Sequence, residues 1–124
     1  MILSNPIDVL VIDDNKLQLE YLEHLFASHG LSAHLTVESE KAVEIIKKIK
    51  PRVILLDIMM PGVDGYTVLK TIRETEELKE IPVIIHTSKA FQVDQRKALR
   101  LGANSYLIKP IKGSEIINEI KKYL

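Results

Sequence analysis

Val53, Ile54, Leu55 and Leu56 run without a polar break into Asp57, and the turn signals Pro61-Gly62 and Asp64-Gly65 follow at once. An uninterrupted apolar run this short, bounded by turn residues, reads as a strand buried on both faces, the situation of a strand inside a parallel sheet. An unpaired acid within such a run would be costly to bury. At the carboxyl end it stands instead at the mouth of the sheet, where α/β proteins bind their ligands. Asp57 is therefore placed to do chemistry, and the remaining segments can be read around it.

Val9 to Ile12 form a second apolar run, stopped by Asp13-Asp14-Asn15. Asp14 or Asn15 can cap a helix from about Lys16 to His29, ended by Gly30, with Gln18, Leu22, Leu25, Phe26 and His29 on one face and Leu17 off it. Leu31, Ala33, Leu35 and Val37 alternate with polar residues, the pattern of a half-exposed edge strand. Ser39 is the expected cap of a helix carrying Ala42, Val43, Ile45, Ile46 and Ile49, stopped at Pro51. After Asp57 comes a helix from about Tyr66 to Glu74, then a strand Pro82 to Thr87, a charged helix from Phe91 or Val93 to Leu101, a strand Ser105 to Ile108 closed by Lys109-Pro110, and a helix from about Gly113.

Five strands alternating with five helices imply a doubly wound, flavodoxin-like α/β fold: a five-stranded parallel sheet of order 2-1-3-4-5 with helices on both faces. At 124 residues the chain suits one domain spanning 1–124. Lys plus Arg (17) balances Asp plus Glu (17), so bulk charge gives no case for nucleic acid or an anionic membrane. Cysteine is absent, which excludes disulfides and thiolate sites. The opening Met1-Ile2-Leu3-Ser4-Asn5-Pro6 is too short and too soon broken for a signal peptide, and the expected location is the cytoplasm.

With the strands side by side, their carboxyl ends bring together Asp13, Asp14, Asp57, Thr87 and Lys109. Two like charges about 4 Å apart repel by roughly 4 kcal/mol at an effective dielectric near 20, so three clustered carboxylates call for a cation. All-oxygen ligands with few carboxylates and room for water suit Mg²⁺. A carboxylate beside Mg²⁺ can attack a phosphoryl group, with the Lys109 ammonium and the Thr87 hydroxyl on its remaining oxygens.

These residues, with Pro61-Gly62-Val63-Asp64-Gly65, Ala90 after His86-Thr87-Ser88-Lys89, and Gly102-Ala103-Asn104 leading to Tyr106 and Lys109-Pro110, resemble the receiver domain of two-component response regulators from about Ile7 to Leu124. The resemblance implies that Asp57 accepts a phosphoryl group from a histidine kinase or histidine phosphotransfer protein, and that Asp13, Asp14, Asp57 and the Met59 carbonyl hold Mg²⁺. It further implies a cis bond before Pro110 and a switch in which Thr87 moves toward Asp57 and Tyr106 turns, changing a surface for a downstream protein. The protein would be a monomer or a weak phosphorylation-dependent dimer, catalysing only its own phosphorylation and dephosphorylation. It would equally suit the receiver portion of a larger regulator or hybrid kinase. Met59 and Lys89 occupy two family positions that tune phosphoryl lifetime, and an apolar Met59 implies slow self-dephosphorylation.

An aspartyl-nucleophile phosphatase of the haloacid dehalogenase type is a rival, but it needs a second acid two residues after the first, where Met59 stands. A flavodoxin-like flavin carrier would need a phosphate loop where Asp13-Asp14 repel phosphate. His24, His29, His34 and His86 lack metal-ligand spacing and read as surface or packing residues.

Overall fold

A computed structural model describes residues 6–124. The segment Met1 to Asn5, the bulk of the opening read above as too short for a signal peptide, lies outside the described residues. Strands β1 (Val9–Ile12), β2 (Ala33–Thr36), β3 (Val53–Leu56), β4 (Val83–Thr87) and β5 (Ser105–Ile108) form one parallel sheet of order β2-β1-β3-β4-β5, as the sequence predicts. Helices α1 (Lys16–Ser28), α2 (Ala42–Ile49), α3 (Gly65–Glu74), α4 (Gln92–Arg100) and α5 (Gly113–Lys121) alternate with them.

The apolar runs divide by strand alternation. Leu10, Ile12, Ile54, Leu56, Val83 and Ile85 pack toward α2, α3 and α4, whereas Val9, Val11, Val53, Leu55 and Ile84 pack toward α1 and α5. β1 and β3 are buried along their whole length, which is why their sequences are continuous rather than alternating. At the sheet edge β2 does alternate, with His34 exposed between half-buried Ala33 and Leu35.

Side-chain capping sets the start of two of the five helices. Asn15 accepts the Gln18 N–H at 3.1 Å to cap α1, and Asp64 accepts the Tyr66 N–H at 2.9 Å to cap α3. Two expectations need correction. Ser39 does not cap α2: it is buried and opens a 3₁₀ turn, Ser39–Lys41, that delivers the chain to Ala42. His29 is exposed beyond the end of α1, where its Nδ1 lies 2.9 Å from the Leu25 carbonyl oxygen. The segment after Asp57 is also more ordered than a plain loop. Met59–Met60 pairs antiparallel with Val63–Asp64 around Pro61-Gly62, Gly62 having φ +74°.

Candidate functional site

Every strand of a parallel sheet points its carboxyl end the same way, so residues distant in sequence meet along one edge. Lys109, just past β5, places its Nζ 2.8 Å from Asp13 Oδ2 and 2.9 Å from Asp57 Oδ2, joining the ends of β1, β3 and β5. Both carboxyl groups are also held by backbone donors. The Asn15 N–H donates to Asp13 Oδ1 at 3.0 Å, and the Met59 N–H donates to Asp57 Oδ1 at 2.8 Å. The Lys109 N–H donates to the Thr87 carbonyl at 2.8 Å, which carries the β4–β5 ladder up to the site, and the Lys109–Pro110 peptide is cis.

Asp13 and Asp57 are buried, at 2% and 6% exposure, while Asp14 is exposed. Burial raises the Asp13 carboxyl above the usual carboxylate range, against the opposing pull of Lys109 and the Asn15 N–H. Burial would lower Lys109, but its hydrogen bonds and attraction to Asp13 and Asp57 prevail and hold the ammonium more firmly protonated than usual. Oxygens of Asp13, Asp14 and Asp57 can all lie within 4.8 Å of one another. Three carboxylates and one ammonium leave the cluster two negative charges, and its donors are all hard oxygens. That set fits Mg²⁺.

Thr87 is fully buried, and its Oγ1 accepts the Lys89 N–H at 3.4 Å. The half-buried Tyr106 donates its hydroxyl to the Lys89 carbonyl at 2.9 Å. Met59 is 47% exposed at the site mouth, its sulfur accepting from the Ser88 hydroxyl at 3.2 Å, while Met60 packs into the core. Leu17 stands exposed near the acidic cluster. His86 is buried, its imidazole pulled down to about 4 by burial and then by the Lys109 charge.

The sequence reading did not find Tyr66 or Asp94, whose side chains bond across two helices near Lys89. They lie 28 residues apart, and neither has an unusual local pattern. The one available signal was a tyrosine directly after an Asp-Gly helix start, where a phenol must find a partner if its ring is buried.

A doubly wound parallel sheet with an acidic, lysine-bridged cluster at its carboxyl edge defines an α/β signalling domain built for a divalent cation and a phosphoryl group. The family model for the response regulator receiver domain matches residues 9–121, and the chain belongs to that family, a receiver of two-component signalling. It is 32% identical over 119 residues to the polar-differentiation response regulator DivK of Brucella anthropi, covering 96% of this chain and 97% of that protein. It resembles the receiver domain of sensor histidine kinase PA1611 from Pseudomonas aeruginosa, crystallised with magnesium coordinated in the active site cleft, with TM-score 0.85, 28% identity, and coverage of 96% and 98%. The chemotaxis protein CheY4 of Vibrio cholerae shares the fold at TM-score 0.88 and 21% identity, over 97% of this chain and 100% of that one.

Proposed function

We propose that Asp57 is the phosphoacceptor of a single receiver domain spanning 1–124, and that the donor is a phosphohistidine on a histidine kinase or histidine phosphotransfer protein. The observation that carries this reading is the Lys109 ammonium, hydrogen-bonded to Asp57 and Asp13 at once. In the reaction an Asp57 carboxylate oxygen forms a bond to phosphorus as the phosphorus–nitrogen bond of the donor breaks, its electron pair remaining on the imidazole. Hydrolysis later returns the carboxylate and releases inorganic phosphate.

The transition state spreads charge over the equatorial phosphoryl oxygens, so catalysis consists of positioning and charge stabilisation. Lys109 supplies a cation already anchored beside the acceptor, and Thr87 a hydroxyl. The Met59 N–H fixes one Asp57 oxygen through its hydrogen bond, which orients the carboxylate. Asp13, Asp14, Asp57 and the Met59 carbonyl would hold Mg²⁺, which supplies neutralisation of phosphoryl charge when bound. Thr87 and Tyr106, joined through Lys89, form the element that reports phosphorylation to a downstream protein.

The domain turns over no separate substrate and acts in the cytoplasm. Among the described residues, no helix is long and apolar enough to cross a membrane. Intact mass after incubation with phosphoramidate tests the reading. One phosphoryl group gained with Mg²⁺, and lost with chelator or in Asp57→Asn, is expected; a folded wild type that gains none overturns it.

A further inference from the structure

Helix α4 is weakly anchored by apolar contacts. Ala98 is its one buried residue, its N-cap Phe91 makes no side-chain capping bond, and Val93 and Leu99 are exposed. What fastens its first turn is polar and comes from α3. The Tyr66 ring is buried, at 7% exposure, and its hydroxyl donates to Asp94 Oδ1 at 3.0 Å, with the Asp94 carbonyl oxygen at 3.5 Å. The Lys97 ammonium stands 4.2 Å from the ring centroid, on the face that attracts cations.

The same pair reaches the switch through Lys89. Its ammonium lies 3.9 Å from Asp94 Oδ1 and 5.7 Å from the Tyr66 ring centroid. Its N–H donates to Thr87 Oγ1, and its carbonyl accepts the Tyr106 hydroxyl. One residue thus touches the site threonine, the switch tyrosine and the α3–α4 pair. The Tyr106 phenol, pushed up to about 12 by burial first, also feels the Asp94 charge.

We propose that the Tyr66–Asp94 hydrogen bond positions Lys89 and the first turn of α4 so that the Lys89 carbonyl receives Tyr106, making Tyr66 and Asp94 positioning residues of the Thr87–Tyr106 switch. The inference rests on the reading of Asp57 as phosphoacceptor for its functional meaning, but the geometry it predicts can be measured separately. Without the bond, the Asp94 carboxylate that faces Lys89 loses the hydroxyl that holds it in place, and the first turn of the helix is held by little else. The ratio of engaged to released Tyr106 then falls. A hydrogen bond to a charged group commonly changes such a ratio by about tenfold. Because coupling between two equilibria is reciprocal, anything that binds Asp57 and favours engaged Tyr106 is weakened by up to the same factor.

The test uses the chain labelled with 3-fluorotyrosine at its four tyrosines, each resonance assigned by single Tyr→Phe replacement, together with titration of beryllofluoride in the presence of Mg²⁺. Tyr66→Phe removes one oxygen and keeps the ring, and Asp94→Ala removes the acceptor, while Asp94→Asn keeps an accepting oxygen. In metal-free buffer, the Tyr106 resonance is expected to move toward its solvent-exposed position in Tyr66→Phe and Asp94→Ala, and much less in Asp94→Asn. The double variant should be no worse than Asp94→Ala alone. Beryllofluoride affinity should fall by up to about tenfold in the same two single variants. An unmoved Tyr106 resonance in Tyr66→Phe, or additive effects in the double variant, overturns the proposal. If the wild type binds no beryllofluoride, the phosphoacceptor reading fails, and the Tyr106 resonance still decides the role of Tyr66 and Asp94.

Discussion

Acid should destabilise this protein through a histidine that takes no part in the proposed chemistry. His86 is 2% exposed, and its imidazole sits at about 4 against an ordinary 6.5. Burial is the main cause, since it penalises the imidazolium; the Lys109 cation adds to it and the Asp57 carboxylate partly offsets it. Above about pH 6.5 the ring is neutral in both the native and unfolded chains, and its contribution to stability is complete. As pH falls through that value the unfolded chain binds a proton that the native chain refuses, so stability is lost until pH reaches about 4. The full span is worth about 3 kcal/mol, of which about 2 kcal/mol is already gone at pH 5. Urea unfolding of the wild type and of His86→Leu, at about pH 7.5 and about pH 5, isolates the effect because the other titrating groups are common to both. Asp13 is one of them, and it acts in the opposite sense because burial raises its carboxyl. The wild type should lose about 2 kcal/mol more than His86→Leu between the two conditions. Equal losses would refute the reasoning.

Lys109→Met leaves Asp13 and Asp57 facing one another with their cation removed. It should cost about 3 kcal/mol at neutral pH, the low end for a broken buried pair because Lys109 is partly exposed. The deficit should shrink on acidification, as Asp13 with its raised carboxyl protonates, in denaturant titrations at two pH values. Arg73 donates to the carbonyls of Gly102, Lys79 and Ile81 and to Asn104 Oδ1, and so ties α3 to the turns that lead into β4 and β5. Arg73→Lys keeps the charge but lacks the planar fork, and a loss of about 2 kcal/mol is expected by urea unfolding; an unchanged midpoint would contradict this. A Cβ at Gly65 would fall 2.4 Å from Ile58 Cα, a backbone atom with no freedom to yield. Gly65→Ala should therefore cost about 1–3 kcal/mol by the same assay and weaken Mg²⁺ binding. With apolar Met59 unable to orient water, the phosphorylated protein should lose its phosphoryl group slowly; a half-life of seconds, followed by intact mass, would count against that view.

The strand ends were legible because each apolar run stops at the residue that matters: Ile12 before Asp13, Leu56 before Asp57, and Ile85 and His86 before Thr87. Chain order and the handedness of parallel crossovers then fix which ends are neighbours. What escaped was set by packing. Ser39 has a favourable capping identity, yet burial against the core draws it into a 3₁₀ turn. His29 lies on the apolar face of an ideal wheel, but α1 ends one residue earlier and the ring turns back to the Leu25 carbonyl. The Tyr66–Asp94 bond joins two helices across β4, and no local window contains both partners.

Lys109 follows Asp13 by 96 residues and Asp57 by 52. A ribosome therefore releases both acids long before the lysine that bridges them, and the sheet face that α1 and α5 share is only partly covered, by Leu22 and Phe26, until Ile116, Ile117 and Ile120 arrive. Until then a growing chain carries the Asp57 carboxylate without the Lys109 ammonium that pairs with it. On the proposed reading of Asp57 as phosphoacceptor, unfinished copies lack the cation that would let them drain phosphoryl groups from the donor, and competence to receive a signal arrives together with the completed sheet.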